Sequence, residues 1–509
     1  MSIETPAWVR DAVFYQVFPD RFARSGRVPA PGPLQAWDAA PTQDGIKGGD
    51  LPGLTDRLDD LAELGITALY LNPIFTSASN HRYHTDDYLA VDPLLGGKAA
   101  WRELIEAAHG RGWHVILDGV FNHTGRGFLP FHHILETAAA SPYLDWYHVD
   151  RGRLESGGVL DAYPPPWSDA AHGGDIGRLG YVGWWGLPAL PKLNHANPVV
   201  REYLMAVGEH WLRAGADGWR LDVPEEIKEP GFWQEFRQRI KAVDTDAYVL
   251  GEIWVPRPER LGGDEFDAVM DYPLAEALLG FCGGSHLDMG VVQSHNEYAA
   301  HVRPMDGAAF AAELERLLAL YDPAVIAVQF NLLGSHDTPR FVTVCGGDRD
   351  SLRLATLIQM TLPGAPSIYY GDEIGMEGGL DPANRGAFPA DRAAWDQDLR
   401  AFIAGAIALR HSSATLRDRG AFRVVRAVGG CMAYVRDDPA AGDLWVVAVN
   451  AGNDGVALDL ALPELGERSL EVVRWASWPG SWEGAVSASG GGSVRLTPGP
   501  RSGLIARAR

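Results

Sequence analysis

The sequence predicts a (β/α)8 barrel with an inserted domain after its third strand and a C-terminal antiparallel β-sandwich. Three observations predict it. Eight short apolar runs alternate with amphipathic stretches up to about residue 415. One interval among them, 124–197, is too long for a strand-helix unit. Beyond Leu416 the helical spacing gives way to two-residue alternation.

Strands are expected at Val13–Val17, Ala68–Leu71, His114–Asp118, Gly218–Asp222, Tyr248–Glu252, Ala268–Met270, Gln329–Leu333 and Pro366–Tyr370. Amphipathic stretches such as Leu54–Leu64, Trp101–His109, Val199–Ala214 and Phe232–Val243 lie between them. Repeated alternation of this kind implies a parallel sheet with helices outside, and eight units imply closure into a barrel. The interval 124–197 is rich in Gly, Pro, Trp, Tyr and His. Loops of that length inside a compact domain are usually functional, so it is expected to form a small domain overhanging the open end of the barrel. The runs from Val424, Met432 and Leu444, with turn signals at Gly429-Gly430 and Asn450, read as the sandwich. The expected division is 1–123 and 198–415 for the barrel, 124–197 for the insert and 416–509 for the sandwich.

Bulk properties narrow the function. Sixty-six acids against 44 bases give a net charge of −22. That balance excludes nucleic acid, whose phosphates need a basic face, and anionic membrane surfaces. No uncharged apolar run nears the roughly 18 residues of a membrane span. The first residues show no basic stretch followed by an apolar core, so the expected location is the cytoplasm. Cys282, Cys345 and Cys431 are widely spaced and odd in number, which suggests neither a disulfide framework nor a zinc site.

Four expected strands run into polar motifs: Asp118–His123, Gly218–Asp222, Leu250–Trp254 and Leu333–Asp337. In a parallel barrel all strand C-termini open onto one face, where catalytic groups collect. Asp222 and Glu252 stand at the ends of neighbouring strands, which run roughly 4.8 Å apart. Two carboxyl groups so placed can approach the ~5–5.5 Å separation of a retaining glycosidase. Arg220, two residues before Asp222, points to the same side and is expected to keep Asp222 ionised. Trp254 is expected to desolvate Glu252 and raise its pKa, as an acid catalyst needs. Asp337 would face the sugar from another strand. His336, His123 and His81 are candidate donors to sugar hydroxyls. Taken alone, each acid could be a helix cap, Arg220–Asp222 a structural ion pair, and each histidine a satisfied polar group. Their joint occurrence at strand ends of one barrel favours chemistry.

These motifs resemble the conserved regions of the α-amylase family, glycoside hydrolase family 13. Asp118–His123, Gly218–Asp222, Gly251–Trp254 and Ser335–Asp337 resemble its first four regions. Leu190–Asn194 resembles the fifth as found in neopullulanases, cyclomaltodextrinases and maltogenic amylases. Asp11–Phe22, Tyr369–Met376 and Asp381–Arg385 resemble the same group. The resemblance implies Asp222 as nucleophile, Glu252 as general acid/base and Asp337 as transition-state stabiliser. It implies that Arg220, His123, His336 and Asp118 shape the reacting subsite and that Tyr83, near His81, stacks under that sugar. Trp254 would lie on the acceptor side, and Asp381 and Arg385 would bind the next sugar. The implied activity is double-displacement cleavage of α-1,4 and also α-1,6 bonds in maltooligosaccharides, cyclodextrins, starch or pullulan, with some transglycosylation. The alternatives are a transferase or isomerase of the trehalose-synthase kind, or a non-catalytic carbohydrate-binding scaffold. No organic cofactor is implied.

Departures from the group carry further expectations. The barrel motif begins at Asp11, without the group's usual N-terminal β-domain, so the chain is expected to be a monomer or a dimer built on another surface. The loop after the first strand, Ala23–Gly32, lacks the group's calcium-binding carboxylates, although Asp50 is present, so no calcium is expected there. A second calcium position would use Asn122. His84 and Pro224-Glu225-Glu226 also depart from the group and leave product preference open. Trp167, Trp184, Trp185 and Tyr181 in the insert are expected as sugar platforms or as its core.

Overall fold

The computed structural model describes residues 3–165, 168, 173–473, 486–488 and 492–509. Eight parallel strands form its centre: β1 Phe14–Val17, β2 Ala68–Leu71, β3 His114–Gly119, β4 Gly218–Leu221, β5 Tyr248–Gly251, β6 Ala268–Val269, β7 Phe330–Leu332 and β8 Ala365–Tyr369. Their order is β6-β5-β4-β3-β2-β1-β8-β7. A single parallel bridge from Met270 to Phe330 joins the two ends and closes the barrel.

Side-chain parity decides what each strand residue does. One parity points inward, where Phe14, Ala68, Tyr70, Ile116, Tyr248, Leu250, Met270 and Phe330 pack into one cluster. The other parity, including Leu69, Val115, Leu117, Trp219, Leu221 and Val249, joins the larger core under the helices. Towards the C-terminal ends the inward positions turn polar: Gln16, Asn72, Asp118, Arg220 and Glu252 are all buried. The barrel is therefore apolar at its base and charged at its mouth. Gly218 opens β4 because a β-carbon there would meet Tyr248 O at 2.3 Å. Trp8, on the short helix Ala7–Asp11, packs against Phe14 and Tyr248 and covers the base.

Helices Gly97–His109, Pro198–Arg213 and Phe232–Val243 fall where periodicity places them. The stretch 54–64 differs: it is split between Leu51–Asp56 and Leu58–Leu64, with Arg57 out of helical geometry between them. An antiparallel hairpin, Phe75–Ser77 with Thr85–Val91, follows β2 and is absent from the sequence reading. Between β3 and Pro198 the chain forms helix Leu129–Thr137, short helical turns and isolated bridges. Among its described residues the C-terminal part forms two antiparallel sheets. The larger runs Ala421–Val428, Cys431–Asp438, Asp443–Asn450, Ser502–Ala508, Leu470–Val472. The smaller runs Leu458–Ala461, Ser493–Leu496, Val486–Ala488. Ala433, Val435, Val446 and Leu504 pack towards the small sheet, while Met432, Tyr434, Trp445 and Val447 join the barrel core. The central strands are thus buried on both faces. Among the described residues no helix is long and apolar enough to cross a membrane.

Candidate active site

Strand register builds the site. Asp118 on β3 pairs with Arg220 on β4, and Arg220 with Leu250 on β5. Asp222 and Glu252 follow two residues later, just past the ends of β4 and β5, in the layer above. Arg220 is wholly buried and faces four carboxylates. Its Nη1 lies 3.0 Å from Asp118 Oδ1 and 3.1 Å from Asp222 Oδ1. Its Nη2 lies 3.0 Å from Glu252 Oε2 and 3.9 Å from Asp337 Oδ2. A planar guanidinium can serve several acids at fixed angles, which a lysine ammonium cannot.

Arg220, with Arg385 beside Asp337, does not balance four acids. Burial first, then the negative charge of Glu252, pushes Asp222 well above the usual carboxylate range, with Arg220 opposing. Arg220 lowers Asp222, as the sequence leads one to expect, but burial and the negative charge of Glu252 outweigh a guanidinium that is shared. The same two causes push Asp337 up to about 7, opposed first by Arg385. Burial raises Asp118 as well, against Arg220 and the hydroxyls of Tyr70 and Tyr83. A mouth with excess negative charge favours protons, or a substrate that develops positive charge.

Hydrogen bonds orient the acids. Asp222 Oδ2 is buried with no partner, while Oδ1 is held by Arg220. Glu252 Oε2 accepts the backbone N–H of Val223 at 2.9 Å. Val223 has the left-handed φ of 35°, an unfavourable geometry for a β-branched residue, and it aims that N–H at the acid. Trp254 donates Nε1–H to Glu252 Oε1 at 3.1 Å while its ring lies 3.6 Å from that of Tyr272, nearly parallel. Its contact with Glu252 is a hydrogen bond from the ring edge, not the apolar cover expected from the sequence.

Tyr83, at the end of the hairpin turn, donates to Asp118 Oδ2 at 2.8 Å and meets His336 Nε2 at 2.6 Å. Gln16 Nε2 lies 2.9 Å from His336 Nδ1, which places the imidazole proton on Nε2. Burial, then Arg385, pulls His336 well below the normal histidine range. His81 is likewise lowered by burial, and its Nδ1 accepts the Tyr83 N–H at 3.1 Å. Burial pulls His123 down to about 3, leaving its Nε2 buried and unpartnered. In ring-labelled protein the His123 resonances are therefore expected not to titrate between about pH 5 and about pH 8, where an exposed histidine would. Arg385 lies 3.5 Å from Asp337 Oδ1 and 3.1 Å from Asp381 Oδ2, so Asp381 joins the cluster at its exposed rim.

The structure thus gathers Asp118, Arg220, Asp222, Glu252, Trp254, Asp337, His336, Tyr83, His81, Asp381 and Arg385 in one linked network. His123 follows Asp118 past the end of β3, with its ring turned against the insert. Its ring is parallel to Trp184 at 5.0 Å, and Trp184 is parallel to Trp185 at 4.6 Å. Trp185 is 78% exposed with a left-handed φ of 52°. Tyr181, by contrast, is fully buried against Phe131, with its hydroxyl on Pro188 O, so it belongs to the insert's core. Trp167 lies outside the described residues. Lys192, within Leu190–Asn194, donates to Glu226 O and pairs with its carboxylate at 3.1 Å, tying the insert to the segment after Asp222.

Sequence reasoning missed Tyr70, Gln16 and Asn72. Tyr70 donates to Asp118 at 2.6 Å, and Gln16 Nε2 donates to Asn72 Oδ1 at 3.1 Å. Gln16 inside an apolar strand, and Asn72 just past another, were the available signals.

The two calcium positions differ in chemistry. In the loop after β1, Asp50 accepts from Gly53 N at 2.6 Å and from the Ser25 hydroxyl at 2.9 Å as a helix cap. Lys47 places its ammonium among that loop's carbonyls. This donor set does not fit a divalent ion. Asn122 Oδ1 is buried without a partner and could serve a hard cation. No group of three or more His, Cys, Asp or Glu side chains that could hold a metal is found among the described residues.

Carboxylates around one buried guanidinium at the C-terminal mouth of a (β/α)8 barrel define a glycoside hydrolase. Residues 16–404 match the family described as alpha amylase, catalytic domain, and the chain belongs to that family. It is 40% identical over 474 residues to a cyclomaltodextrinase of Geobacillus thermopakistaniensis, covering 92% of this chain and 74% of that protein. It is 38% identical over 508 residues to Neopullulanase 2 of Thermoactinomyces vulgaris, covering 98% and 78%. The native structure of a Nostoc punctiforme debranching enzyme superimposes with a TM-score of 0.86 at 42% identity, covering 99% of this chain and all of that one.

Proposed function

We propose that this protein is a retaining α-glucan hydrolase acting on α-1,4 and α-1,6 bonds of maltooligosaccharides and cyclodextrins. The carrying observation is that Arg220 holds Asp222 Oδ1 and Glu252 Oε2 at adjacent strand ends while Asp222 Oδ2 stays unpartnered. In this reading Glu252 is the general acid and Asp222 the nucleophile, and the Arg220 guanidinium between them favours the ionised form of Asp222 against the burial and negative charge that raise it. Asp222 Oδ2 attacks the anomeric carbon as the glycosidic oxygen takes the Glu252 proton, giving a β-glucosyl ester. Water, deprotonated by Glu252, then attacks the same carbon and releases Asp222. Positive charge developing on the sugar ring meets the surplus negative charge that includes Asp337 and Asp118. A sugar hydroxyl in place of water gives transglycosylation.

The linkage range rests on the resemblance to cyclomaltodextrinases and neopullulanases and on the likeness to a debranching enzyme. No organic cofactor enters this chemistry, and a calcium ion at Asn122 would have a structural part only. The exposed Trp185 ring, braced on Trp184, is proposed as a platform for the apolar face of a more distant sugar. Trp185→Ala is expected to raise KM for long maltooligosaccharides about tenfold and to leave maltotriose within about threefold. The reading is tested by product chromatography during time courses on maltotriose, β-cyclodextrin, soluble starch and pullulan. Preference for cyclodextrin over starch supports it, and no turnover of any of the four contradicts it.

A further inference from the structure

The loop after β1 carries a cation of its own. Lys47 is fully buried, and its Nζ lies 2.6, 3.1 and 2.6 Å from the backbone oxygens of Ala36, Trp37 and Ala39. An ammonium has three donors and no acceptor, so these carbonyls satisfy it completely. Burying the charge is tolerable only with such compensation. Asp20, also buried, fixes the base of the lysine by accepting the N–H of Lys47 at 3.0 Å and of Gly48 at 2.9 Å.

The loop gathered around Lys47 reaches two segments that carry active-site residues nearby in sequence. Asn80 Nδ2 donates to Gln43 O at 2.6 Å and to Gly45 O at 3.0 Å. Asn80 is the residue before His81, and its own carbonyl accepts from Arg82 Nη1 at 2.7 Å. Arg82 is wholly buried, holds a left-handed φ of 61° and binds Asp92 at 2.8 Å. The hairpin turn is thus clamped between the loop and its own strand. On the other side, Trp37 Nε1 donates to Phe388 O at 2.8 Å, in the segment that follows Arg385.

We propose that the Lys47 ammonium is a built-in cation around which the loop after β1 is organised, and that Lys47 thereby positions the turn carrying His81 and Tyr83. Three neutral carbonyls suit a monovalent ammonium, whereas a hard divalent ion asks for about six to eight oxygens. Lys47 touches no substrate in this account; it acts through Asn80. Its effect on substrate affinity rests on the proposed function, while its effect on the turn does not.

Amide hydrogen exchange of the full-length chain separates the two. In Lys47→Met, amides of 36–47 and of 79–84 are expected to exchange on the order of tenfold faster than in the wild type. In Lys47→Ala, ammonium chloride is expected to restore protection at both segments, and sodium chloride at equal concentration is not. Asn80→Ala, which cuts only the link, is expected to loosen 79–84 and leave 36–47 protected. For the substrate, Lys47→Met is expected to raise KM about tenfold with kcat within about threefold, because Asp222 and Glu252 stand on other strands. Wild-type protection at 79–84 in Lys47→Met and Asn80→Ala overturns the positioning role. Equal behaviour of ammonium and sodium in Lys47→Ala overturns the cation site. If no α-glucan were turned over even by the wild type, the exchange results would still decide both points.

Discussion

Asp222→Asn is expected to lower kcat on the order of 10⁴-fold or more, and at the same time to make the protein harder to unfold at neutral pH. The first effect follows from its part as nucleophile: the amide cannot form the glycosyl ester, so the two-step path is lost. The second follows from the site's charge. The Asp222 carboxyl is raised in the fold, chiefly by burial and then by Glu252. A carboxyl whose folded pKa lies above its unfolded value costs stability once pH exceeds the unfolded value, and the cost grows until the folded value is passed. Asparagine has no charge to bury, so that cost disappears at pH 7. Thermal midpoints of the two proteins at pH 7 and at about pH 4 check this, since the gap should shrink as the wild-type carboxyl protonates in both states. A lower midpoint for Asp222→Asn at pH 7 would contradict the view that the mouth stores excess negative charge.

Removal of Arg220 should do the opposite to stability. Arg220→Met leaves Asp118, Asp222 and Glu252 buried without the guanidinium that now stands 3.0 to 3.1 Å from each. Breaking a buried ion pair from one side typically costs about 3–5 kcal/mol. Part of that cost is relieved as the acids take up protons, so the loss should be largest at alkaline pH and smaller near pH 5. Activity should vanish with it, because a protonated Asp222 is no nucleophile. Arg220→Lys keeps the charge but cannot present two nitrogens to opposite acids, and should recover stability more than rate. Denaturant midpoints across pH, read beside kcat, separate the two contributions. An Arg220→Met protein as stable as the wild type at alkaline pH would mean that the acids are balanced by something else.

Much of this site was legible in the sequence, and for a physical reason. Parity within a strand and position at its C-terminal end are local properties, so Asp118, Arg220, Asp222 and Glu252 could be placed before any contact was known, whereas Asp337 lies in the turn beyond β7 and not on the strand itself. The strands themselves were legible because each is an apolar run bounded by turn residues. What was not legible depends on distant contacts. The Phe75–Ser77 hairpin is held by pairing with Thr85–Val91 around a polar turn, and no periodicity marks it. The burial and the nearby Glu252 charge that raise Asp222 against Arg220 require the closed barrel. Tyr181 and Trp185 look alike in the sequence, yet one is core and the other is 78% exposed. Lys47 reads as one more surface lysine until the carbonyls of 36–39 fold around it.

The claim on which the rest depends is that Asp222 becomes covalently attached to the sugar. It is tested most directly by treating Glu252→Gln with a 5-fluoroglucosyl fluoride, digesting the protein and finding the labelled peptide by mass spectrometry. One glucosyl adduct is expected, on Asp222, released slowly because the amide that replaces the Glu252 carboxylate cannot activate water. An adduct on Asp337 or Asp118, or attack that yields the inverted anomer with no adduct, would contradict it.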